Sequence, residues 1–350
     1  MISQQAIASR LGISRSAVAG HIMKLTNKGI IKGRGYVISD TPFVAVIGGA
    51  NMDIHGKPTG ALRLNDSNPG AVHTSPGGVA RNIAENLARL GADCRLISAL
   101  GNDQYGQLLM QQCRDAGIGM QHVQQIDSAP TSTYLSVLDE SGDMHVAIND
   151  MAIIEELGPE RLRSQEAMLK QASLVILDTN LRDDSLAWIT HTFAEQTLFV
   201  DTVSTVKAEK IKPYLSAIHT LKTSRIEAEA LTGLKARTQT DRRKLAAWVH
   251  KQGVARLFIT LGEHGVFYST GDAQGVAKQK REMRAIRNAG GAGDAFLAGI
   301  AYAWLKNWSL EKSVHFALAA AEVTLSDNAT SSPALSLAAV NRVYKVQHAS

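Results

Sequence analysis

Residues 288–296 read NAGGAGDAF, which sets four small residues, Gly290 to Gly293, directly ahead of one carboxylate, Asp294. Consecutive glycines leave backbone N–H groups able to approach a ligand closely. The apolar run AFLAGIAYAWL at 295–305 predicts a buried helix. A glycine-rich turn entering a helix suits an anion, because unpaired N–H groups and the helix dipole both favour negative charge there. The carboxylate at that point is either a helix cap or the proton acceptor for whatever the glycines hold.

From Phe43 onward the chain repeats an apolar strand, a glycine turn and a helix. FVAVIGG (43–49), RLISALG (95–101), SLVILD (173–178), TLFVD (197–201), IHTLK (218–222) and RLFITLG (256–262) are short continuous apolar runs, the pattern of strands buried on both faces. Helices are predicted over 79–90, 105–116, 242–252 and 309–325. This alternation predicts an α/β fold with a doubly wound, mostly parallel sheet. Two segments break the rhythm. Alternating runs on either side of a turn at 140–143, together with 65–74, predict a small β flap from about 60–75 and 131–150 that could close over a ligand.

The 350 residues suffice for one large α/β domain and something small. No apolar run reaches the ~20 residues of a membrane helix and no signal peptide opens the chain, so a cytoplasmic protein with no membrane partner is expected. Cys94 and Cys113 lie too far apart for a CxxC motif and lack flanking histidine pairs, which argues against a disulfide framework or a zinc site.

The net charge of +5 is uneven: residues 1–39 hold six basic residues and no acid, leaving −1 for the rest. In that head a helix with Ile7, Ala8 and Leu11 on one face is followed by a turn at Gly12. A second helix, capped by Ser14, carries Val18, Ile22 and Leu25 until Gly29, and 30–38 reads as a two-stranded wing. Residues 1–40 resemble the winged-helix heads of bacterial regulators, which implies that the second helix enters a DNA major groove, with Arg15 and Lys24 as candidate contacts. A docking or dimerisation appendage would have the same appearance.

Open α/β sheets bind ligands at the carboxyl ends of their strands. The polar residues just beyond each strand are Asn51 and Asp53, Asp178 and Asn180, Asp201, Lys222, Ser224 and Glu227, and Thr260 borders Gly262; Gly77 and Gly78 precede a helix with Asn82 in its first turn. On GGVARN (77–82), GGAGDAF (290–296), TLGEHGV (260–266) and the Glu227 element, residues 43–328 resemble the ribokinase, or pfkB-type, family of carbohydrate and nucleoside kinases. The resemblance implies a ribokinase-like kinase domain over 43–350, with ATP and Mg2+ as cofactors. It implies that the N–H groups of Gly291, Ala292 and Gly293 hold the γ-phosphate, and that Asp294 takes the proton from the substrate's hydroxymethyl group. Asp53 would hold sugar hydroxyls, Gly78 would let substrate approach the backbone, and Asn82 and Asn180 would bind it. Lys222, Ser224, Thr260 and Gly262 would serve the nucleotide, and Glu227 would hold magnesium through water. No Walker-type GxxxxGK[ST] occurs, so the phosphates must be held in this other way.

Asn288, Ala289 and Gly290 replace an aspartate and two threonines of the family's DTTGAGD, and Ser224 replaces the asparagine of N-x-x-E, which leaves a monovalent-cation site open. Relatives often dimerise through the flap, so a homodimer is expected. A closer likeness to bacterial pseudouridine kinases rests on 65–82, 132–151 and FVDTVS (199–204). It implies phosphorylation of the 5′-hydroxyl of pseudouridine, with Ser67, Asn68, Thr133, Asn149 and Asp150 as candidate contacts to base or ribose. The alternatives are a kinase for another ribonucleoside or a free sugar such as ribose or fructose, and a DNA-binding regulator that uses the kinase-like domain as a ligand sensor.

Overall fold

The computed structural model describes residues 3–32, 37–38, 42–279, 290–327 and 329–348. Eight strands form the central sheet in the order Gln274–Ala277, Val266–Ser269, Arg256–Thr260, Thr220–Ser224, Leu198–Asp201, Leu174–Asp178, Phe43–Ile47 and Asp93–Ile97. The last six named run parallel, and the hairpin at the other edge is antiparallel. Their continuous apolar sequences follow from burial on both faces. Val44 and Val46 enter one core with the helices Val79–Arg89, Ala292–Leu305 and Leu310–Leu325, while Ala45 and Ile47 enter the other with Asp183–Thr192 and Gln239–Lys251. The predicted doubly wound sheet is present.

The chain enters at Phe43–Ile47, steps outward to Asp93–Ile97, then crosses back to Leu174–Asp178 and continues the other way. The reversal opens a crevice at the carboxyl ends of Phe43–Ile47 and Leu174–Asp178. One carboxylate fixes it. Asp178 is fully buried and accepts from the backbone N–H of Gly49 and of Ala80 on Oδ2 and of Asn180 on Oδ1, each at 2.9 Å. A Cβ on Gly48 would collide with that carboxylate. Asp178 thereby caps the helix Val79–Arg89, whose own N-cap residue, Gly78, has no side chain to do so.

Two sequence readings need correction. The run 95–101 is not one strand: Asp93–Ile97 stays in the main sheet, whereas Ala99–Gly101 pairs with Gln124–Ile126, because the Ser98 hydroxyl between them donates to Gly48 O at 2.7 Å. The flap has four strands, in the order Met144–Asp150, Thr133–Leu138, Asn51–Pro58 and Gly70–Gly77. Asn51–Pro58 went unread, since NMDIHGKP lacks the β-branched alternation of a strand. Asn68 braces the loop ahead of Gly70: its Oδ1 accepts from Arg63 N at 2.8 Å, and its Nδ2 donates to Arg63 O at 2.8 Å.

In the head, Ser3 caps Gln4–Leu11 and Ser14 caps Arg15–Asn27, with Gly12 at φ 64° between them, and Ile31–Lys32 pairs with Val37–Ile38. Its buried apolar residues among those described are Ala8, Val18 and Ile31. No helix among the described residues is long and apolar enough to cross a membrane.

Asp178→Ala strands three buried N–H donors, so unfolding in urea should show a loss of at least about 3 kcal/mol. A change below about 1 kcal/mol would remove Asp178 as the organiser of the crevice.

Candidate active site

Three strands deliver charge to one place. Asp178, Asp201 and Lys222 are register partners at the carboxyl ends of neighbouring parallel strands, so their side chains are set side by side by the ladder. The Lys222 ammonium pairs with Asp201 Oδ2 at 2.7 Å, and both are buried. Facing them is the first turn of Ala292–Leu305. Gly291 caps it at φ 75°, and a Cβ there would run into the carbonyl oxygen of Thr330, so the entry to this helix admits glycine alone. A Cβ on Gly293 would come within 2.5 Å of Lys222 Nζ, so its absence leaves room for the ammonium beside the helix N-terminus.

Asp294, 7% exposed, lies in that turn and accepts from Asn82 Nδ2 at 2.8 Å. Burial pushes its carboxyl up to about 7, Asp201 adds to the rise, and Lys222 and Asn82 restrain it. Lys222 is raised: burial opposes its charge, but Asp201 and Asp294 outweigh that. The centre thus joins a carboxylate poised to gain or lose a proton near neutrality with a cation held against a helix N-terminus.

The amide of Asn82 has its orientation set by Arg81, which sequence reading missed. Arg81 is buried, and its guanidinium bonds to Gly77 O at 3.0 Å, to Pro76 O at 3.1 Å, to Glu85 and to Asn82 Oδ1. With Oδ1 occupied, Nδ2 points at Asp294. An arginine in a helix's first turn reads as a surface charge; the one available signal was its place inside GGVARN.

Asp53 is buried and raised by that burial, with Asn51 Nδ2 2.6 Å from its Oδ1. Gly77 makes space for it, since a Cβ there would strike the Asp53 carboxylate. At Gly78, φ 99°, the place where a Cβ would be is filled by the backbone of Gly49 and Ala50, so close chain packing alone already requires glycine there. Asn180 is buried, and its Oδ1 accepts from Lys207 Nζ at 2.5 Å, a second residue the sequence did not single out. Across the flap, Asn149, Tyr134, Asp53 and Ser75 form one register row, so exposed Asn149 shares a face with Asp53. Asp150 and Thr133 share a row with Met52 and Pro76 on the opposite face.

On the other side of Lys222, Ser224 and Thr260 are register partners, which sets Ser224, Glu227, Thr260 and Gly262 at adjoining strand ends. Ser224 and Glu227 form a reciprocal capping box for Arg225–Thr232, which accounts for serine at this point. Glu227 Oε2 accepts from Ser224 N at 2.9 Å and from Thr202 Oγ1 at 2.6 Å. Burial works against the Glu227 charge, yet those bonds hold its carboxyl below the usual range. Gly262 sits at φ 62° with open space around it. Asn288 and Ala289 lie outside the described residues.

Residues 41–336 match the family model described as pfkB family carbohydrate kinase, and residues 2–32 match one described as winged helix-turn-helix DNA-binding. The chain is 40% identical to the pseudouridine kinase of Escherichia coli over 299 residues, covering 85% of this chain and 95% of that protein. It is 38% identical over 336 residues to an uncharacterized sugar kinase of the same organism, covering 96% and 92%. The Arabidopsis thaliana ribokinase solved with ribose and ATP has the same fold, with a TM-score of 0.80 at 22% identity, covering 87% of this chain and 99% of that one.

Ionised Asp294 is costly to bury. Because its folded value near 7 lies above the ordinary carboxylate value of about 4, its stabilising, protonated form is complete below about pH 4 and is lost as pH rises through 7. Asp294→Asn should therefore melt a few degrees above wild type at pH 8, with the gap closed by pH 4. A variant less stable than wild type at pH 8 would contradict this electrostatic picture.

Proposed function

The chain belongs to the pfkB family of carbohydrate kinases and is a phosphotransferase acting on an alcohol group, and from that footing we propose that it phosphorylates the 5′-hydroxyl of a nucleoside, pseudouridine foremost, with ATP and Mg2+. The observation that carries the reading is the Asp294 carboxylate, raised to about 7, in the first turn of a glycine-capped helix beside Lys222. Identity of 40% to a pseudouridine kinase supports the substrate. Similarity to an uncharacterized sugar kinase keeps ribose, fructose and other ribonucleosides in contention.

In this reading Asp294 accepts the proton of the hydroxymethyl group as its oxygen attacks phosphorus, and Asn82 keeps the carboxylate aimed. The N–H groups of Gly291, Ala292 and Gly293, together with the Lys222 ammonium, balance charge on the transferred phosphoryl group. Asp53 holds sugar hydroxyls, and Asn180 and Asn149 contact the remainder of the substrate. Ser224, Thr260 and Gly262 border the nucleotide. Among the described residues no group of three or more His, Cys, Asp or Glu could enclose a bare metal ion. Glu227, whose Oε2 is held by Ser224 N and Thr202 Oγ1 at the nucleotide side, would hold through water a magnesium ion that keeps its waters and is carried largely by phosphates. Bound there, magnesium would neutralise phosphate charge.

A second reading has its own support. Residues 2–32 match the DNA-binding model, and Arg15 and Lys24 are exposed on the second helix of the head. We propose that residues 1–40 form a unit apart from the kinase domain of 43–350 and dock this helix in a major groove. Flap residues Val72, Leu135, Val146 and Ile148 share one face and are exposed, which supports a homodimer.

ADP release with magnesium-ATP should be confined to pseudouridine in a panel with uridine, cytidine, adenosine, ribose and fructose. Asp294→Asn should reduce it by about 10²- to 10⁴-fold; a variant near wild-type rate would remove Asp294 as the base. Binding to DNA from upstream of the protein's own coding sequence should weaken steeply with salt and be lost on Arg15→Glu with Lys24→Glu. No salt-sensitive binding would leave the head as an appendage.

A further inference from the structure

A cleft of about 440 Å³ opens at the carboxyl end of Arg256–Thr260, lined by Arg225, Arg237, Arg242, Leu261, His264 and Val276. It lies on the opposite face of the sheet from Asp294. Leu261 packs against the core containing Ala236, Leu245 and Val249, whereas Ala292–Leu305 belongs to the other core. Ala277 belongs to the Asp294-side core, so strand alternation turns its neighbour Val276 toward the cleft side. The cleft is therefore separate from the centre around Asp294 and Lys222.

Its positive charge is largely uncompensated. Arg225 pairs with Glu229 at 3.3 Å. Arg242 directs Nη1 to neutral acceptors, the carbonyls of Ala236 and Arg237 at 3.2 and 2.9 Å, and its Nε is buried without a hydrogen-bond partner. Arg237 is exposed, and no carboxylate among the described residues forms an ion pair with it. A guanidinium cannot shed its proton, and a buried donor without an acceptor is costly. Arg242 Nε is such a donor, and with the exposed, unpaired Arg237 guanidinium at the same concavity it calls for a ligand rich in anionic oxygens. The aliphatic walls at Leu261 and Val276 suit a flat ring, on which arginine also stacks. The volume falls within the ~300–1,000 Å³ of small-molecule sites and is more than a lone phosphate fills.

We propose that this cleft is a second nucleotide site, taking a nucleoside di- or triphosphate, and that the turn 261–265 relays its occupancy to the kinase site. Leu261 N donates to Gly265 O at 2.8 Å, His264 N to Leu261 O at 3.2 Å and Gly265 N to Gly262 O at 3.1 Å, so the turn moves as a unit. Leu261 touches the cleft, and the adjoining Thr260 and Gly262 are the residues proposed to border the phosphoryl donor. A ligand in the cleft therefore changes KM for ATP more than kcat.

The test is calorimetric titration of the full chain with a non-hydrolysable ATP analogue, using wild type, Arg237→Glu and Val276→Glu. Both substituted side chains are exposed, so an unchanged melting temperature is expected. Wild type should bind two equivalents per chain and each variant one. One equivalent in all three proteins would overturn the proposal. Displacement of the second equivalent by pyrophosphate as readily as by a nucleotide would overturn its assignment to a nucleoside phosphate. One equivalent in wild type that is lost in Arg237→Glu would support the cleft while counting against the donor site of the kinase reading.

Discussion

A buried carboxylate with three backbone donors governs this molecule. Asp178 joins the loop after the first sheet strand, the start of the helix that carries Asn82, and the turn that carries Asn180. These segments are remote in sequence, and each brings a backbone N–H that the crevice would otherwise leave unpaired. Burial raises the Asp178 carboxyl, and the three donors counter that rise. The position of Asn82, and through it the aim of Asp294, descends from this arrangement.

Charge at the centre is deliberately short of cations. One ammonium, Lys222, faces the carboxylates of Asp201 and Asp294, and only Asp201 is within ion-pair distance. Among the described residues Asp294 has no cation at ion-pair distance, and burial, with Asp201 beside it, raises its proton affinity toward neutrality. Small residues make the crowding feasible: Gly291 yields to a carbonyl and Gly293 to an ammonium. The glycines of GGAGD therefore satisfy packing demands, whatever their N–H groups bind.

How much of this could be read in advance follows from what each segment buries. Strands such as FVAVI and LVILD are buried on both faces and announce themselves as continuous apolar runs. The strand Asn51–Pro58 is half open to solvent and carries Asp53, so its sequence had no reason to alternate cleanly. Asp294, Lys222 and Glu227 were legible because they follow strands or glycines. Arg81, Thr202 and Lys207 were not: their roles depend on partners brought by the fold, and nothing local separates a buried arginine from a solvated one. Asp178 was legible as a residue at a strand end, but its backbone partners were not, since backbone donors have no letter in the sequence.

The flap's central pairing is parallel, Met52 with Thr133 through Gly56 with Val137, and it joins strands separated by two helices and an excursion through the main sheet. During synthesis the hairpin of Asn51–Pro58 and Gly70–Gly77 is complete long before its third strand leaves the ribosome. Two strands alone are marginal in water, and their waiting edge is an open template for the wrong chain. The flap cannot be completed until Thr133 has emerged, so a nascent chain stalled before Thr133 exposes that edge and is a form in need of a chaperone.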